Sequence, residues 1–449
     1  MNAVRTRIAP SPTGVDLHIG NAYTALINYV FAKKHNGQFI VRIEDTDRTR
    51  FVEGSEKRIL ASLAWLGIPY DEGPFHQSER LDIYKKCAEE LVEKGHAYYC
   101  YCTQERLAQM RKDQEARHEP PMYDGTCKNL KSKKDGPHVI RLNVPETGVT
   151  KFTDVIRGEI SFENKLIDDQ VILKSDGYPT YHLGVVVDDH LMNISHVIRG
   201  EEWISSTPKH VLLYQFFGWE LPIYAHMPLL RNPDKSKLSK RKNPVWSSFY
   251  REQGFLPEAI VNYLATLAWA HPEGKEVFTI EEMMKVFDLT QIQTTAPVFD
   301  VDKLRWMNGE YIRKDSDLGK KIFEFYSHIY PISQITPILP LVRERMHTLA
   351  EFATLAGFFF ERPHEFERPK SAELVQFVKS ALTNCDWNHD VMEKAIRDAA
   401  EKEGIKARDV FMELRVAVTG KTVGPPLLES LEILGRDETH KRLSGVAYA

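Results

Sequence analysis

The chain has 449 residues, 42% of them hydrophobic and 27% charged, and a formal net charge of -4 at neutral pH. This composition excludes a disordered or fibrous chain, and the length is sufficient for about two to four domains. The negative charge excludes a protein that coats nucleic acid without specificity, because such binding depends on neutralising phosphates, but it is compatible with a specific polynucleotide partner. No stretch approaches the roughly 18 apolar residues of a membrane span, and the N-terminus lacks an apolar signal region, so we expect a cytoplasmic protein without a membrane partner.

The first elements follow an α/β nucleotide-binding pattern. A short strand predicted at residues 7–9 is stopped by prolines, and a turn then leads into a helix. A second strand is predicted at residues 39–43, and its carboxyl end continues into an acidic segment. Ligands of a doubly wound parallel sheet bind at the carboxyl ends of its strands, so we expect His18 and Glu44 to face the same crevice. The predicted buried face of the helix comprises Ala22, Leu26, Tyr29 and Val30.

The middle of the chain is predicted to be an insertion. Between residues 84 and 184 Cys, Lys, Pro and Gly become frequent, and the alternation at residues 138–142 indicates a strand. Sheet-like apolar runs at residues 185–187 and 195–199 then indicate that the first domain resumes.

The C-terminal half is predicted to be mostly helical from Phe255 onward. Pro257 stands at a helix start, a position that suits proline because its missing N–H has no partner there anyway. The apolar face of this helix comprises Ile260, Leu264 and Leu267.

The segment around His18 is the first candidate for chemistry. Pro10, Pro12 and Gly14 shape a loop before a helix whose N-terminus offers unpaired N–H groups and a positive dipole end to phosphate. His18 can donate a hydrogen bond to a phosphate oxygen, and Asn21 lies about one turn later on the same side. Taken alone, a histidine at a helix start is more often a capping or packing residue.

A basic segment past the middle of the chain is the second candidate. Residues 237–241 read Lys-Leu-Ser-Lys-Arg and follow an apolar stretch broken by turn residues. Alone, this segment is most simply a solvated basic loop or a nucleic-acid patch. Together with the histidine segment it predicts a loop whose lysines neutralise a triphosphate, because nucleotidyl transfer needs mainly positioning and charge neutralisation.

Seven segments of the chain stand in an order that one enzyme family shares. They read RIAPSPTG at residues 7–14, HIGN at 18–21, RIEDTD at 42–47, YPTYH at 178–182, VDDH at 187–190, RGEEW at 199–203 and KLSKR at 237–241. With them the chain resembles the bacterial-type glutamyl-tRNA synthetases, which are class I aminoacyl-tRNA synthetases. The resemblance implies an α/β fold: a Rossmann-type doubly wound parallel sheet, a mixed α/β insertion and a mostly helical C-terminal half. It also implies that L-glutamate and ATP, with Mg²⁺, give glutamyl-adenylate, and that the glutamyl group then moves to the 3′ end of tRNA(Glu), with tRNA(Gln) left open.

The resemblance also assigns roles to residues at the ATP phosphates. It places His18 and Asn21 at the phosphates, and Lys237 and Lys240 on the loop that stabilises the leaving pyrophosphate. The family's first signature ends in His where this chain has Asn21, which shifts more of the expected catalysis onto His18 and Lys240. Gly20, Trp203 and Leu230 complete the expected ATP site.

Glutamate binding is the next implied role. The resemblance assigns its side-chain carboxylate to Arg7 and Arg199, with Tyr181 and Ser11 beside them, and its amino group to Glu44. An arginine fork matches a carboxylate bidentately, and a carboxylate pairs with an ammonium group. Without the resemblance, a surface ion pair for Arg7, an acidic turn for Glu44 and a core aromatic role for Tyr181 would be preferred.

Three clustered cysteines resemble the zinc knuckle of some bacterial members of the family. Structural zinc has four ligands, but the family's usual fourth ligand, a histidine, is Asn129 in this chain. Tyr123 is one substitute beside Cys100, Cys102 and Cys127, and His118 and His138 are others. The alternative is a set of three reduced cysteines that has lost its metal.

The resemblance divides the chain into four parts. Residues 1–83 and 185–235 are expected to form the catalytic domain, residues 84–184 to bind the tRNA acceptor end, residues 236–310 to contact the tRNA stem, and residues 311–449 to form a helical anticodon-binding domain. A glutaminyl enzyme of the common type would have β-barrels in the last part, and a shortened paralogue that modifies a tRNA base would lack it. Asp47 and Arg345 are the expected tRNA contacts.

Two other classes of protein are alternatives to this ligase. A small-molecule nucleotidyltransferase shares the histidine loop but does not explain the basic segment and the long helical C-terminal region. A catalytically silent tRNA-binding paralogue should have lost His18, Glu44 or Lys240, which are all present. The sequence carries no oligomerisation signal, and we expect a monomer.

Overall fold

The computed structural model of the protein describes residues 3–130, 134–236, 238, 244–368 and 371–445. In these ranges the strands are β1 (Arg5–Ile8), β2 (Gln38–Ile43), β3 (Glu72–His76), β4 (Ala97–Cys100), β5 (Val139–Leu142), β6 (Val149–Asp154), β7 (Gly158–Glu163), β8 (Val171–Leu173), β9 (His196–Gly200) and β10 (Ile223–Met227). The α-helices are α1 (Ile19–Lys34), α2 (Ser55–Trp65), α3 (Leu81–Glu93), α4 (Gln104–Ala116), α5 (Tyr181–Leu191), α6 (Thr207–Phe217), α7 (Ser247–Glu252), α8 (Pro257–Ala268), α9 (Ile280–Val286), α10 (Val301–Lys314), α11 (Leu318–Phe325), α12 (Ile332–Val342), α13 (Glu351–Ala356), α14 (Ala372–Ala381), α15 (His389–Lys402), α16 (Ala407–Thr419), α17 (Leu427–Leu434) and α18 (Arg436–Ser444). Short 3₁₀ turns occupy Gln77–Arg80, Asn164–Leu166, Glu201–Ser206, Leu289–Gln291, Arg343–Arg345 and Gly357–Phe359.

The chain divides into two compact units, of which the first comprises Met1–Phe249 and Ile260–Asp300. Its sheet contains the parallel strands β1, β2 and β3 in the order 1-2-3, and a second group in the order 7-6-10-9, in which β9, β10 and β6 are parallel. The N–H of Ser195 donates to the carbonyl of Arg5 at 3.0 Å and joins β9 to β1. The parallel strands therefore run 3-2-1-9-10-6. The order reverses between β1 and β9, which is the position where doubly wound sheets bind ligands.

The predicted first strands and helix are confirmed with small shifts at their ends. Ala22, Leu26 and Val30 of α1 are buried, as expected for the face that covers the sheet, and Tyr29 is half-buried. Residues 195–199 form most of β9, as their apolar pattern indicated.

The strand interpretation of residues 185–187 is wrong, because these valines lie within helix α5. They are at most 2% exposed and pack in a cluster with residues of α3 and α6. A short apolar run that is buried on all sides has no periodicity to separate a helix from a strand.

The insertion carries its own antiparallel sheet of β4, β5 and β8, of which β5 covers most of the alternating residues 138–142. Helix α4, N-capped by Thr103 through the N–H of Arg106, follows β4. The mixed α/β character expected of the insertion is thereby confirmed.

The second unit comprises Tyr250–Ala259 and Val301–Ala449, and its described residues form helices and no strand. One apolar cluster involves α11, α12 and α13, and another involves α14 to α17. Pro257 begins α8 as predicted, and the helix continues into the first unit, where Ile260 and Leu264 of the predicted face are buried and Leu267 is half-buried. Every helix within the described ranges is too short or too polar to span a bilayer.

Candidate active site

A cavity of about 1120 Å³ opens in the first unit at the carboxyl ends of β1, β2 and β9. This volume suits a ligand of nucleotide size. Its lining includes every described residue to which an ATP or glutamate role was assigned, and Asp47: Arg7, Ser11, His18, Gly20, Asn21, Glu44, Asp47, Tyr181, Arg199, Trp203 and Leu230. The structure therefore gathers at one site residues that are more than 220 positions apart in the chain.

His18 occupies the N-terminus of α1, where it is the N-cap residue. Its Nδ1 accepts a hydrogen bond from the N–H of Gly20 at 3.0 Å. A neutral imidazole has one donor and one acceptor nitrogen, so this bond assigns the proton to Nε2. The capping role and the phosphate role are therefore compatible, because one nitrogen serves the helix and the other can donate to a ligand.

The chain that follows the basic segment pairs with the chain that precedes α1. Ile19 N–H donates to the Val245 carbonyl at 2.7 Å, and Ser247 N–H donates to the Leu17 carbonyl at 3.0 Å. Leu238 is buried and lies on the cavity wall, whereas Lys237 and Lys240 fall outside the described residues.

Trp246 covers the loop before α1. Its ring meets the His18 ring edge-on at a centroid distance of 5.9 Å. A Cβ atom placed on Gly14 would lie 2.4 Å from the Trp246 ring, so only glycine fits beneath it. The paired segments and this ring fix the position of His18.

Aromatic and aliphatic side chains form another part of the wall. Trp203 stacks on Tyr181 with a centroid distance of 4.1 Å, and Leu230 is buried beside the cavity. These surfaces are suited to an adenine ring, which needs an apolar slot of matching shape.

Arg199, at the end of β9, is a buried cation that contacts only neutral groups. Its guanidinium donates to His226 Nε2 at 3.1 Å, Tyr181 OH at 3.3 Å, His210 Nδ1 at 3.2 Å and Thr207 Oγ1 at 2.8 Å. Burial lowers the pKa of both His226 and His210, so that these rings are neutral at physiological pH. Among the described residues no carboxylate lies within 4.0 Å of this guanidinium, which is 5% exposed. A buried charge is costly unless it is paired, so the site is built to receive an anion.

Arg7 has a different arrangement, although it lines the same cavity. Its Nε and Nη2 donate to the two carboxylate oxygens of Asp189 at 3.1 and 3.2 Å. Asp189 also accepts from Arg42 Nη1 at 2.7 Å. Burial acts to raise the pKa of Asp189, but the charges of Arg7 and Arg42 lower it overall. Arg7 therefore lines the cavity, but its charge is already balanced by the Asp189 carboxylate.

Glu44 follows β2 and is held by Arg42, whose Nη2 donates to its carboxylate at 3.2 Å. Burial raises the pKa of Glu44, and the Arg42 charge opposes that effect. An incoming ammonium group would favour the ionised carboxylate further. Glu44 is thus placed to bind a cationic group of a ligand.

Comparison with known proteins decides the family. A model of the class I tRNA synthetases for E and Q, catalytic domain, matches residues 3–306, and a model of an anticodon binding domain matches residues 317–447. The chain belongs to the class I tRNA synthetases. The synthetase is 47% identical to the glutamate–tRNA ligase of Acinetobacter baumannii strain AYE, over 98% of this chain and 92% of the relative. It is 46% identical to that of Acidothermus cellulolyticus, over 99% of this chain and 95% of the relative. A crystal structure of the glutamate tRNA ligase from Elizabethkingia meningosepticum with its amino acid is similar at a TM-score of 0.87 and 35% identity, covering 99% of both chains.

The cysteine cluster of the synthetase lies in the insertion. The sulfur atoms of Cys100, Cys102 and Cys127 are all within 4.8 Å of one another, and the last two are 3.6 Å apart. Zinc–sulfur bonds of about 2.3 Å in a tetrahedron place sulfur atoms about 3.8 Å apart, so the three thiols fit a zinc ion. The Tyr123 hydroxyl lies 3.4 Å from Cys100 Sγ and 3.2 Å from Cys102 Sγ.

Two histidines, His118 and His138, were alternatives for the fourth zinc ligand. Within the described residues neither of them lies at this cluster. His138 instead contacts the Tyr99 and Tyr101 rings, and His118 is exposed. Spacing along the chain could not show this, because the β5 strand directs residue 138 toward aromatic neighbours.

The two expected tRNA contacts differ in exposure, because Asp47 is half-buried at the cavity wall and Arg345 is exposed. The Asp47 carboxylate accepts from Thr49 Oγ1 at 2.8 Å and pairs with Arg50 at 2.6 Å. Arg345 is exposed in the 3₁₀ turn after α12 and forms no ion pair with any described residue. Its charge helps to lower the pKa of Arg415, an effect that comes mainly from burial.

Several residues of the site had no predicted role. Arg42 and Asp188 are fully buried, and Asp188 accepts from Gln77 at 2.9 Å and from Tyr84 at 2.8 Å. Two features of the sequence signal a buried ionic network: a charged residue inside an apolar strand, as in Phe-Ile-Val-Arg-Ile, and two acidic residues after three valines. The contacts of His226 and His210 with Arg199 had no comparable signal in the sequence.

Proposed function

We propose that this synthetase activates L-glutamate with ATP and transfers the glutamyl group to the 3′ end of tRNA(Glu). The full-length relatives named glutamate–tRNA ligase support this activity. The single observation that carries the choice of amino acid is Arg199, a buried guanidinium whose described partners are all neutral. Four of its N–H groups are used, and one on Nη2 is left without a partner among the described residues.

The substrate side chain follows from this geometry. A carboxylate at Arg199 supplies the missing counter-charge, whereas the amide of glutamine does not. Tyr181 OH, at 3.3 Å from Arg199, can turn to donate to the same carboxylate. Glu44 binds the substrate's amino group, and aspartate is one methylene too short to span both ends. Ser11 and Arg7 complete the wall at which the amino acid lies.

ATP binds with its adenosine against Trp203 and Leu230 and its phosphates at the N-terminus of α1. The first N–H groups of α1 already have acceptors at Val245 and His18, so the helix dipole and the His18 donor at Nε2 favour the negative charge there. The α-carboxylate of glutamate attacks the α-phosphorus of ATP, the bond to pyrophosphate breaks, and the charge that develops is stabilised by His18 and, by the family resemblance, by Lys237 and Lys240. Mg²⁺ enters with ATP as part of the substrate complex. Asn21 lies on the same side of the helix start and gives a weaker contact.

The parts of the chain have the following proposed roles. Residues 1–83 and 185–235 form the catalytic domain, and residues 84–184 hold the tRNA acceptor end. Residues 236–310 contact the stem, and residues 311–449 read the anticodon. Arg345, exposed and without an ion pair among the described residues, is the proposed base-reading cation, and Asp47 contacts tRNA near the cavity mouth.

Aminoacylation assays test this function directly. Purified protein with ATP is expected to attach radiolabelled glutamate to tRNA(Glu), and glutamine and aspartate are expected to be attached at least about 100-fold less efficiently. Parallel reactions with tRNA(Gln) measure whether the enzyme separates the two tRNAs. Equal use of glutamine and glutamate would reject the role given to Arg199.

We also propose that zinc binds Cys100, Cys102 and Cys127, with Tyr123 as the fourth ligand. The three sulfur positions support the site, and a zinc ion would stabilise the insertion by crosslinking β4 to the segment before β5. Elemental analysis is expected to find about one zinc per chain, and the content is expected to fall in Tyr123→Phe but not in the control His138→Ala. A metal-free preparation with full charging activity would end this hypothesis.

A further inference from the structure

Three buried side chains form a row across neighbouring strands next to the cavity. Asp154 ends β6, His226 lies on β10, and Arg199 on β9 is directly opposite His226 in the strand register. Asp154 is 1% exposed and His226 is fully buried, and neither residue lines the cavity. Asp154 Oδ2 accepts from His226 Nδ1 at 2.6 Å, and His226 Nε2 accepts from Arg199 Nε at 3.1 Å.

The hydrogen bonds assign the tautomer of His226. Burial lowers the pKa of His226 against the effect of Asp154, so the ring is neutral and has one N–H. Asp154 is held in place, because its Oδ1 accepts from the N–H groups of Ile156 at 2.9 Å and Arg157 at 3.0 Å. The ring proton therefore lies on Nδ1, and Nε2 presents a lone pair to Arg199.

We propose that Asp154 and His226 are positioning residues that set the preference for a glutamate substrate by orienting Arg199 without neutralising it. The contrast with Arg7 supports this role. Asp189 pairs directly with Arg7 through two hydrogen bonds, whereas a neutral imidazole separates Asp154 from Arg199. The guanidinium is therefore fixed in direction while its charge stays available for the substrate carboxylate. This inference rests on the proposed function, because it concerns how the same site recognises glutamate.

Two substitutions of His226 separate its contact with Asp154 from its contact with Arg199. In His226→Asn the amide nitrogen lies near the Nδ1 position and can still donate to Asp154, but nothing reaches Arg199. In His226→Gln the amide extends to the Nε2 position and can accept from Arg199. A lost acceptor for a charged donor is expected to raise the KM for glutamate about 10- to 100-fold in the Asn variant, with less than about a 3-fold change in the KM for ATP. The Gln variant is expected to recover most of the glutamate affinity.

Asp154→Asn tests the row from its far end. The new side-chain amide would direct an N–H at Nδ1 of His226, the ring proton would move to Nε2, and two donors would then oppose each other at Arg199. The KM for glutamate is expected to rise about 10-fold or more. Asp169→Asn is the matched control, because Asp169 is also buried and accepts from a backbone N–H and a tyrosine, yet it does not line the cavity or contact Arg199.

The outcomes distinguish this inference from the proposed function. The KM values for glutamate and ATP, kcat and the thermal midpoint are measured for each variant in the tRNA charging assay. A glutamate KM that is unchanged in His226→Asn and Asp154→Asn, or that rises equally with the KM for ATP, would overturn the positioning role. If the unsubstituted enzyme does not charge tRNA with glutamate at all, the proposed function fails instead.

Discussion

His18→Ala is expected to lower kcat for tRNA charging by about two to three orders of magnitude, the effect of deleting one donor aimed at developing charge. His18 caps α1 through Nδ1, and in this tautomer Nε2–H is the donor directed to the phosphates. The KM for ATP is expected to change much less than kcat, because the donor acts mainly on the transition state. Turnover and the ATP and glutamate KM values are measured in the charging assay.

His18→Asn is the matched control for the capping role. Asparagine is among the best N-cap residues, so this variant keeps the acceptor for the Gly20 N–H, but it has no donor at the Nε2 position. Loss of the cap in His18→Ala is expected to lower the free energy of unfolding by about 1 kcal/mol. The Asn variant keeps the cap and should not show this loss. If His18→Asn restores charging to the rate of the unsubstituted enzyme, the loss in the alanine variant came from the cap and the phosphate role is wrong.

Arg199→Ala is expected to raise the KM for glutamate by about two to three orders of magnitude while the KM for ATP is retained. Removing one partner of a buried charge pair costs roughly 3–4 kcal/mol, and each 1.4 kcal/mol is about a tenfold change. In this variant the substrate carboxylate enters a wall formed by Tyr181, Thr207 and two neutral imidazoles. Initial rates across a glutamate titration at saturating ATP measure the effect.

Arg199→Lys separates charge from geometry. The ammonium group keeps the positive charge but cannot reproduce the planar fork that contacts His226, His210 and Thr207. We expect it to recover part of the lost glutamate affinity and to lose selectivity against glutamine. Unchanged glutamate saturation in Arg199→Ala would show instead that this arginine is structural.

Much of the fold was predictable from local pattern. The strands at β1, β2, β5 and β9 and the helical C-terminal region follow from alternation, helical periodicity and turn residues. The valines at 185–187 were misassigned, because a helix buried on all sides shows no amphipathic pattern. The C-terminal unit was easier to predict, because its helices have one exposed and one buried face and so show helical periodicity.

The site was predictable only in part. Residues of the signature segments could be assigned to one crevice because they follow the carboxyl ends of strands. The partners of those residues could not, because Asp154 and His226 are 72 positions apart and meet only through strand order. The pairing of Arg7 with Asp189, rather than with a surface partner, likewise depends on the tertiary fold that brings the two side chains together.

The backbone pairing of residues 17–19 with residues 245–247 has a kinetic consequence. Hydrogen bonds between Ile19 and Val245 and between Ser247 and Leu17 attach the chain that follows the basic segment to the start of α1. Ser248 N–H adds a bond to Asp16 at 2.8 Å. A substitution that weakens these hydrogen bonds would therefore displace His18 and the residues that follow the lysine segment together. The losses of activity caused by a substitution in the His18 segment and by one in the lysine segment should therefore be less than additive, because the two segments move as one unit.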